Sequence, residues 1–227
     1  MSRVPSSPNA DAGGLTASRR TSAQTHDHIL RVAGDLFYRE GIRATGIDRV
    51  ASQAEVAPTT LYRLFASKDE LVAAYVERCS ANYRTRLTRV SSPAAGTPRQ
   101  RILAVFDAFM DEVLSEACRG CPFLMVLAEF PDPQNAAHSN AVAHKSWLRV
   151  LIHGLVDELA LETKISDPAA LAEQLALVAE GIYGSVQSLG ATGPAKQGRA
   201  CVEALIGCAA EQKETTLKRS PRRPRPS

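Results

Sequence analysis

A chain of 227 residues with 44% apolar and 22% charged side chains can build one large core or two unequal ones, so neither disulfides nor a structural metal are required for folding. No apolar run approaches the roughly 20 residues of a membrane-spanning helix, and residues 1–20 lack a hydrophobic block behind a basic start, so the chain is expected to be soluble and cytoplasmic. The net charge of +3 conceals an asymmetry: residues 29–90 carry ten Lys/Arg against seven Asp/Glu, residues 91–210 eight against thirteen, and residues 211–227 six against two. The acidic middle is not built to hold a polyanion, whereas the basic N-terminal part suits one. With five cysteines and no export signal, Cys79, Cys201 and Cys208 are expected to be small buried helix residues rather than halves of bridges.

In chain order, residues 1–24 form a low-complexity arm with little to bury. Ile29, Val32, Leu36 and Phe37 then recur at three- and four-residue spacing before Gly41, which predicts a first helix over 25–39. Thr45 is a natural N-cap, with Asp48 at the third helical position, for a short second helix that buries Ile47, Val50 and Ala51 and ends by Gln53. After a four-residue connector, Pro58 has the fixed φ suited to the first turn of a third short helix, which ends near Phe65 with Leu61, Leu64 and Phe65 facing inward. Ser67-Lys68-Asp69-Glu70 reads as a capping box and opens a long helix to about residue 90. Pro93, Gly96 and Pro98 break it, and further helices are expected at 99–117, 123–129, 135–161, 168–189 and 194–212. No alternating β-branched run predicts a strand, so the fold class is all-α.

Two short helices joined by a four-residue turn and followed by a strongly capped third match a DNA-reading helix-turn-helix, though plain helical hairpins share that outline. The more specific signal is Pro58-Thr59-Thr60-Leu61-Tyr62-Arg63-Leu64-Phe65 with Ser67-Lys68-Asp69-Glu70-Leu71 behind it. Together with Gly41, Thr45, Ile47, Val50-Ala51, Ala54 and Val56, these residues make positions 25–75 resemble the TetR/AcrR family of transcriptional regulators. Glu55 stands where that family usually has glycine, and Ala57 where it often has serine. The resemblance implies a three-helix helix-turn-helix domain at 25–70 and a helical effector-binding and dimerisation domain at 71–213, flanked by an unstructured arm at 1–24 and a basic tail at 214–227. Its implied partners are double-stranded operator DNA, a small-molecule effector and a second copy of the chain, with no cofactor. No phosphate loop, nucleophile elbow, HExxH or glycine-rich dinucleotide turn argues for an enzyme, while a helical protein-interaction module is the other reading of such a chain.

The residue chemistry can be stated beside the resemblance. Thr59 and Thr60 in the first turn of the third helix offer hydroxyls and methyls to base edges, Tyr62 a phenol to a flanking phosphate, and Arg63 a fork for phosphate or guanine. Thr45 and Lys68 stand at helix N-termini, where free N–H groups and the dipole favour a phosphate. Arg19-Arg20 and the tail cations Lys218, Arg219, Arg222, Arg223 and Arg225 either add nonspecific phosphate contacts or are merely solvated. In the family, Phe106, Phe109, Met110, Val113, Phe123, Met125, Phe130, Trp147, Tyr183 and Gln187 would line an effector cavity, although their spacing equally fits plain core packing. Leu175, Val178, Ile182 and Val186 on one helix, with Val202, Leu205 and Ile206 on the last, are the implied seam of a two-fold dimer, close approach being permitted by Gly181, Gly184, Ala200, Ala204 and Gly207. Cys118-x-x-Cys121 with His138, His144 and His153 invites a metal or redox reading, whereas a single CxxC running into Pro122-Phe123 fits a packed helix break.

Overall fold

The computed structural model describes residues 21–115 and 117–211, and among them it contains nine α-helices and no strand. The basic pairs expected at Arg19-Arg20 and beyond residue 213 lie outside the described residues. No helix of the described residues is long and apolar enough to cross a membrane.

The first helix, α1 (Ser22–Glu40), begins three residues before the expected start at 25, so the arm does not extend to residue 24. Its start is polar and local: the Thr21 hydroxyl accepts from the Gln24 N–H, and the Gln24 side chain accepts from the Thr21 N–H. Gly41 stops it with φ 96°. Helices α2 (Ile47–Gln53) and α3 (Pro58–Leu64) follow, and Ile29, Val50, Ala51, Leu61 and Phe65 close a small core between them and α1. Each large side chain fully buried there contributes on the order of 2 kcal/mol.

The connector between α2 and α3 explains how the two departures from the family pattern are tolerated. The Glu55 N–H donates to the Ser52 carbonyl and the Val56 N–H to the Ala51 carbonyl, which places Glu55 at the left-handed position of a Schellman turn with φ 54°. Among the described residues it is the one non-glycine with positive φ, so a carboxylate side chain carries strain that glycine would avoid. His28 Nε2 lies 2.9 Å from the Ala54 carbonyl and ties the turn to α1. Ala57 supplies no side-chain cap, and α3 starts instead on the preset φ of Pro58.

The long helix α4 (Lys68–Val90) belongs to both halves of the molecule. Leu71, Val72 and Tyr75 bury against α1, whereas Ser80 and Leu87 bury in the larger bundle, so a boundary at 70/71 cuts a continuous helix. Its start differs from a reciprocal capping box: the Ser67 hydroxyl accepts from the Glu70 N–H, but the Glu70 carboxylate reaches past Ser67 to the Ala66 N–H at 2.7 Å. The bundle is completed by α5 (Pro98–Val113), α6 (Pro122–Glu129), α7 (Ala136–Glu162), α8 (Pro168–Leu189) and α9 (Gly198–Glu211). Helix α5 stops at Val113 rather than 117, and a 3-10 turn at Pro194–Gln197 precedes α9. A side chain at Gly198 would stand 2.6 Å from Ile182, so α9 can begin there only because the position lacks a Cβ.

Candidate nucleic-acid interface and the bundle behind it

On α3 the division between faces is sharp. Leu61 is completely buried and Phe65, just beyond the helix end, is 1% exposed and stacked on His26. On the other side Thr59, Tyr62 and Arg63 are exposed, Tyr62 at 52%, while Thr60 is half-buried at the edge. A seven-residue helix held by one apolar face thus projects hydroxyls, a phenol and a guanidinium outward, which suits entry into a major groove. Lys68 is half-buried at the head of α4, and its ammonium donates to the Arg43 carbonyl at 3.1 Å. Asp69 and Glu70 in the same turn offset the dipole that a lone cation would oppose.

Thr45 departs from expectation. The N-cap of α2 is Gly46, and Thr45 is 1% exposed with its hydroxyl donating to the Gly41 carbonyl at 2.7 Å. Its side chain therefore closes the α1–α2 loop from inside and is not presented to a phosphate. The methyl and hydroxyl that make threonine a good cap serve a buried loop equally well, and the sequence pattern does not separate the two uses.

That loop is gripped from the bundle. The Glu129 carboxylate, at the end of α6, accepts from the Ile42 N–H at 2.9 Å and the Arg43 N–H at 2.6 Å. Arg43 Nε returns a bond to the Glu129 carbonyl at 2.8 Å, and its guanidinium stands 5.5 Å from the Phe130 ring centroid. A second tie joins α1 to the α5–α6 loop: the Tyr38 hydroxyl donates to the Gly120 carbonyl at 2.9 Å and accepts from the Arg119 N–H at 2.7 Å. Sequence reasoning missed both Arg43 and Glu129, because no local signal marks a carboxylate that pairs 87 positions away with a loop backbone.

Behind these ties the expected effector residues form a core rather than an open chamber. Phe106, Phe109, Met110, Val113, Phe123 and Tyr183 are buried, and successive rings meet edge to face, Phe106 on Phe109 at 5.7 Å and Phe109 on Tyr183 at 5.8 Å. Phe123 stacks on His144 at 3.7 Å, and the space left among Phe109, Phe123, His144 and Tyr183 is about 10 Å³, room for one water molecule at most. Met110 does not line it but sits under Gly198. Phe130 lies under Arg43, Trp147 under Arg84, Met125 is half-buried on α6, and the exposed Gln187 covers Gly120, so these four do not converge on one cavity. Aromatic rings at helical spacing fill whatever space they surround unless polar groups hold it open.

Polar groups nonetheless flank this core, and two of them, Ser80 and His144, are buried in it. The Tyr83 hydroxyl and the Arg86 guanidinium both donate to Glu112, Ser80 pairs with His144 Nδ1 at 3.1 Å, and Lys145 pairs with Glu180 at 2.7 Å. Burial, reinforced by the Lys145 and Arg84 charges, lowers the His144 pKa to about 4 and keeps the ring neutral. Among the described residues the Tyr183 hydroxyl meets no group in hydrogen-bonding geometry, and burial raises its pKa.

The residues expected at the dimer seam lie mostly inside the protomer. Leu175, Ile182, Val186, Val202 and Ile206 are buried within their own protomer, and only Val178 and Leu205 are partly exposed. The outward face of α8 and α9 presents Leu177 at 72% exposure, with Gly181, Gly184, Cys201, Ala204 and Cys208 around it. The strongest apolar spacing marks the face each helix buries first, and that face is turned into its own bundle. Cys201 and Cys208 are accordingly exposed, not buried, and all five cysteines are unpaired thiols.

Cys118 is half-buried with the Tyr38 hydroxyl 3.8 Å from its sulfur, and Cys121 is buried with its thiol pKa pushed up. His138 bonds the Phe130 carbonyl, His144 pairs with Ser80 and His153 with Glu173, so the three imidazoles do not assemble around the CxxC. Among the described residues no group of three or more His, Cys, Asp or Glu side chains is placed to hold a metal ion.

Comparison with known proteins bears on both halves. Residues 29–75 match the model of the tetR family of bacterial regulatory proteins. The transcriptional repressor NemR of Escherichia coli is 29% identical over 120 residues, 51% of this chain and 58% of NemR, so the match spans a little over half of that relative. The transcriptional regulator YjdC of Escherichia coli is 26% identical over 155 residues, 68% of this chain and 79% of YjdC. In three dimensions, a TetR-family transcriptional regulator from Streptomyces coelicolor superimposes with a TM-score of 0.77 at 27% identity, covering 83% of this chain and 97% of that one. The helix-turn-helix of residues 29–75 thus matches the tetR family of bacterial regulatory proteins, and the helical bundle behind it shares the fold of a solved TetR-family regulator.

Proposed function

We propose that the chain is a homodimeric transcriptional repressor that reads operator DNA with α3 of each protomer and leaves it when a small molecule binds the helical bundle. The observation that carries the reading is the exposed row Thr59, Tyr62 and Arg63 on a helix whose opposite face is locked by Leu61, with Lys68 beside it. Two such helices related by a two-fold axis would enter successive major grooves about 34 Å apart on a pseudo-palindromic site. NemR being a repressor supports repression rather than activation. The small outward residues of α8 and α9 around Leu177 support a two-fold four-helix contact there.

Release requires the ligand to prefer a conformer whose α3 helices are wrongly spaced, by a coupling of about 1 to 3 kcal/mol. The Glu129 grip on Ile42 and Arg43 and the Tyr38 tie to the α5–α6 loop supply contacts through which the bundle would bias the head. The test is a gel shift with the DNA flanking the chain's own gene against random DNA of equal length. Selective retardation is expected; a folded dimer that binds both equally would leave no basis for operator recognition.

A further inference from the structure

We infer that the open cleft between α1, α4 and the end of α5 is a small-molecule site that takes a flat aromatic anion. This deepens the proposed function by naming a site and a ligand chemistry, and only its consequence for DNA rests on that reading. The core void has room for one water molecule, whereas this cleft measures about 410 Å³, within the range of ligand sites and at the junction of two domains where such sites concentrate.

Its walls are Leu30, Gly34 and Tyr38 of α1 facing Tyr75, Cys79 and Tyr83 of α4. Burial raises the pKa of all three phenols, so they are neutral rings. The polar atoms within are already engaged: Tyr38 with Gly120 and Arg119, and Tyr83 with a Glu112 carboxylate that Arg86 neutralises. A charged group placed deep in the cleft would therefore be desolvated without a partner, whereas an aromatic ring would meet ring faces and aliphatic surface. The Cys79 thiol is raised to about 11 by burial, so it stays protonated and offers a soft wall rather than a nucleophile.

The mouth has the opposite character. Arg31 and Arg78 both line it and are held by exposed contacts, Arg31 with His28 Nδ1 at 3.0 Å and Asp35 at 4.0 Å, and Arg78 with the Asp27 carbonyl at 3.1 Å and its carboxylate at 3.4 Å. Such pairs contribute little and let either guanidinium turn toward an incoming anion. Asp35 is the one carboxylate lining the mouth beside these two cations, since Glu112 is neutralised further in. The arrangement places a ring inside and its acidic substituent outside, between the two guanidinium groups. Because α1 is one wall and also carries α2, an occupant that shifts α1 against α4 would move the DNA-reading head.

The test is a fluorescence titration of the intact protein with 1-anilinonaphthalene-8-sulfonate, a fused ring carrying one sulfonate. Saturable binding is expected; the double variant R31E/R78E should bind at least about tenfold more weakly, because two attractions become repulsions. Asn82→Trp, which puts an indole at the exposed edge of the cleft, should abolish binding. Undiminished binding by both variants, with melting curves that match the parent, overturns the site. If a variant does not fold, nuclear Overhauser contacts between the dye and the Tyr38 and Tyr75 rings of the unmodified protein decide the matter, their absence at saturation overturning the site. Dye binding is read without DNA, so a chain that failed to bind operator would strike the proposed regulatory role and leave this site standing.

Discussion

The head, from α1 to the first turns of α4, and the bundle behind it use apolar residues to different ends. In the head a handful of core positions suffice, and with so few elements the face opposite the core is necessarily the working surface: once Leu61 and Phe65 are inside, Thr59, Tyr62 and Arg63 are outside. In the bundle each helix has several neighbours, so burial of a residue does not say whether it meets a core, a ligand or a second protomer. The comparison teaches that apolar periodicity locates function by exclusion only where the structure is thin.

The largest expected effect separates core from seam in the bundle. Ile182→Asp would bury an unpaired carboxylate against Met110 and α9 and should cost several kcal/mol, giving an unfolded or molten chain rather than a folded monomer. Leu177→Asp, on the exposed face of α8, should instead leave the melting temperature of the protomer nearly unchanged and dissociate the proposed dimer. Sedimentation and thermal melting of the two variants would break the comparison if their roles were reversed.

The buried polar groups of the bundle give the next effect. His144 titrates near 6.5 when unfolded and about 4 when folded, so the unfolded chain binds a proton first as pH falls. The linked stability is therefore intact above pH 6.5 and is lost progressively toward pH 4, amounting to roughly 3 kcal/mol at about 1.4 kcal/mol per pH unit. Urea denaturation across that interval should show this slope, and His144→Gln should flatten it.

Glu129→Ala probes the junction between head and bundle. It removes the acceptor of the Ile42 and Arg43 N–H groups, which water partly replaces at this exposed loop, so a loss of about 1 to 2 kcal/mol is expected. Faster hydrogen exchange at those two amides, with little change deep in α7, would show the grip to be local. Within the head, Lys68→Ala should weaken binding to every DNA and reduce the salt slope by about one, whereas Thr60→Ala should cost more on operator than on random DNA. Equal losses on both DNAs would remove Thr60 from base reading. The smallest effect is Glu55→Gly, which relieves a left-handed residue at the price of chain entropy and should stabilise the head by under about 1 kcal/mol in thermal melts.

Much of the head was legible because its signals are local. The Pro58 start, the Gly41 stop and the Ser67 hydroxyl each act within four residues, and the structure uses all three. The errors arose where a local signal had two uses: Thr45 caps no helix but closes a loop, and Glu70 reaches Ala66 rather than Ser67. The aromatic and seam residues of the bundle were assigned to a cavity and an interface on spacing that also describes a core, and the core claimed most of them.

The sequence alone determined that this chain is helical, where most helices begin and end, and which short helix carries hydroxyls and cations outward, because capping, glycine stops and apolar period operate over one or two turns. Tertiary structure alone decided that Glu129 holds the α1–α2 loop, that the aromatic cluster fills its own space and that a roomy cleft opens against α1. Those outcomes depend on which helix faces meet across intervals of tens of residues, and nothing in the spacing along one helix encodes the identity of the helix packed against it.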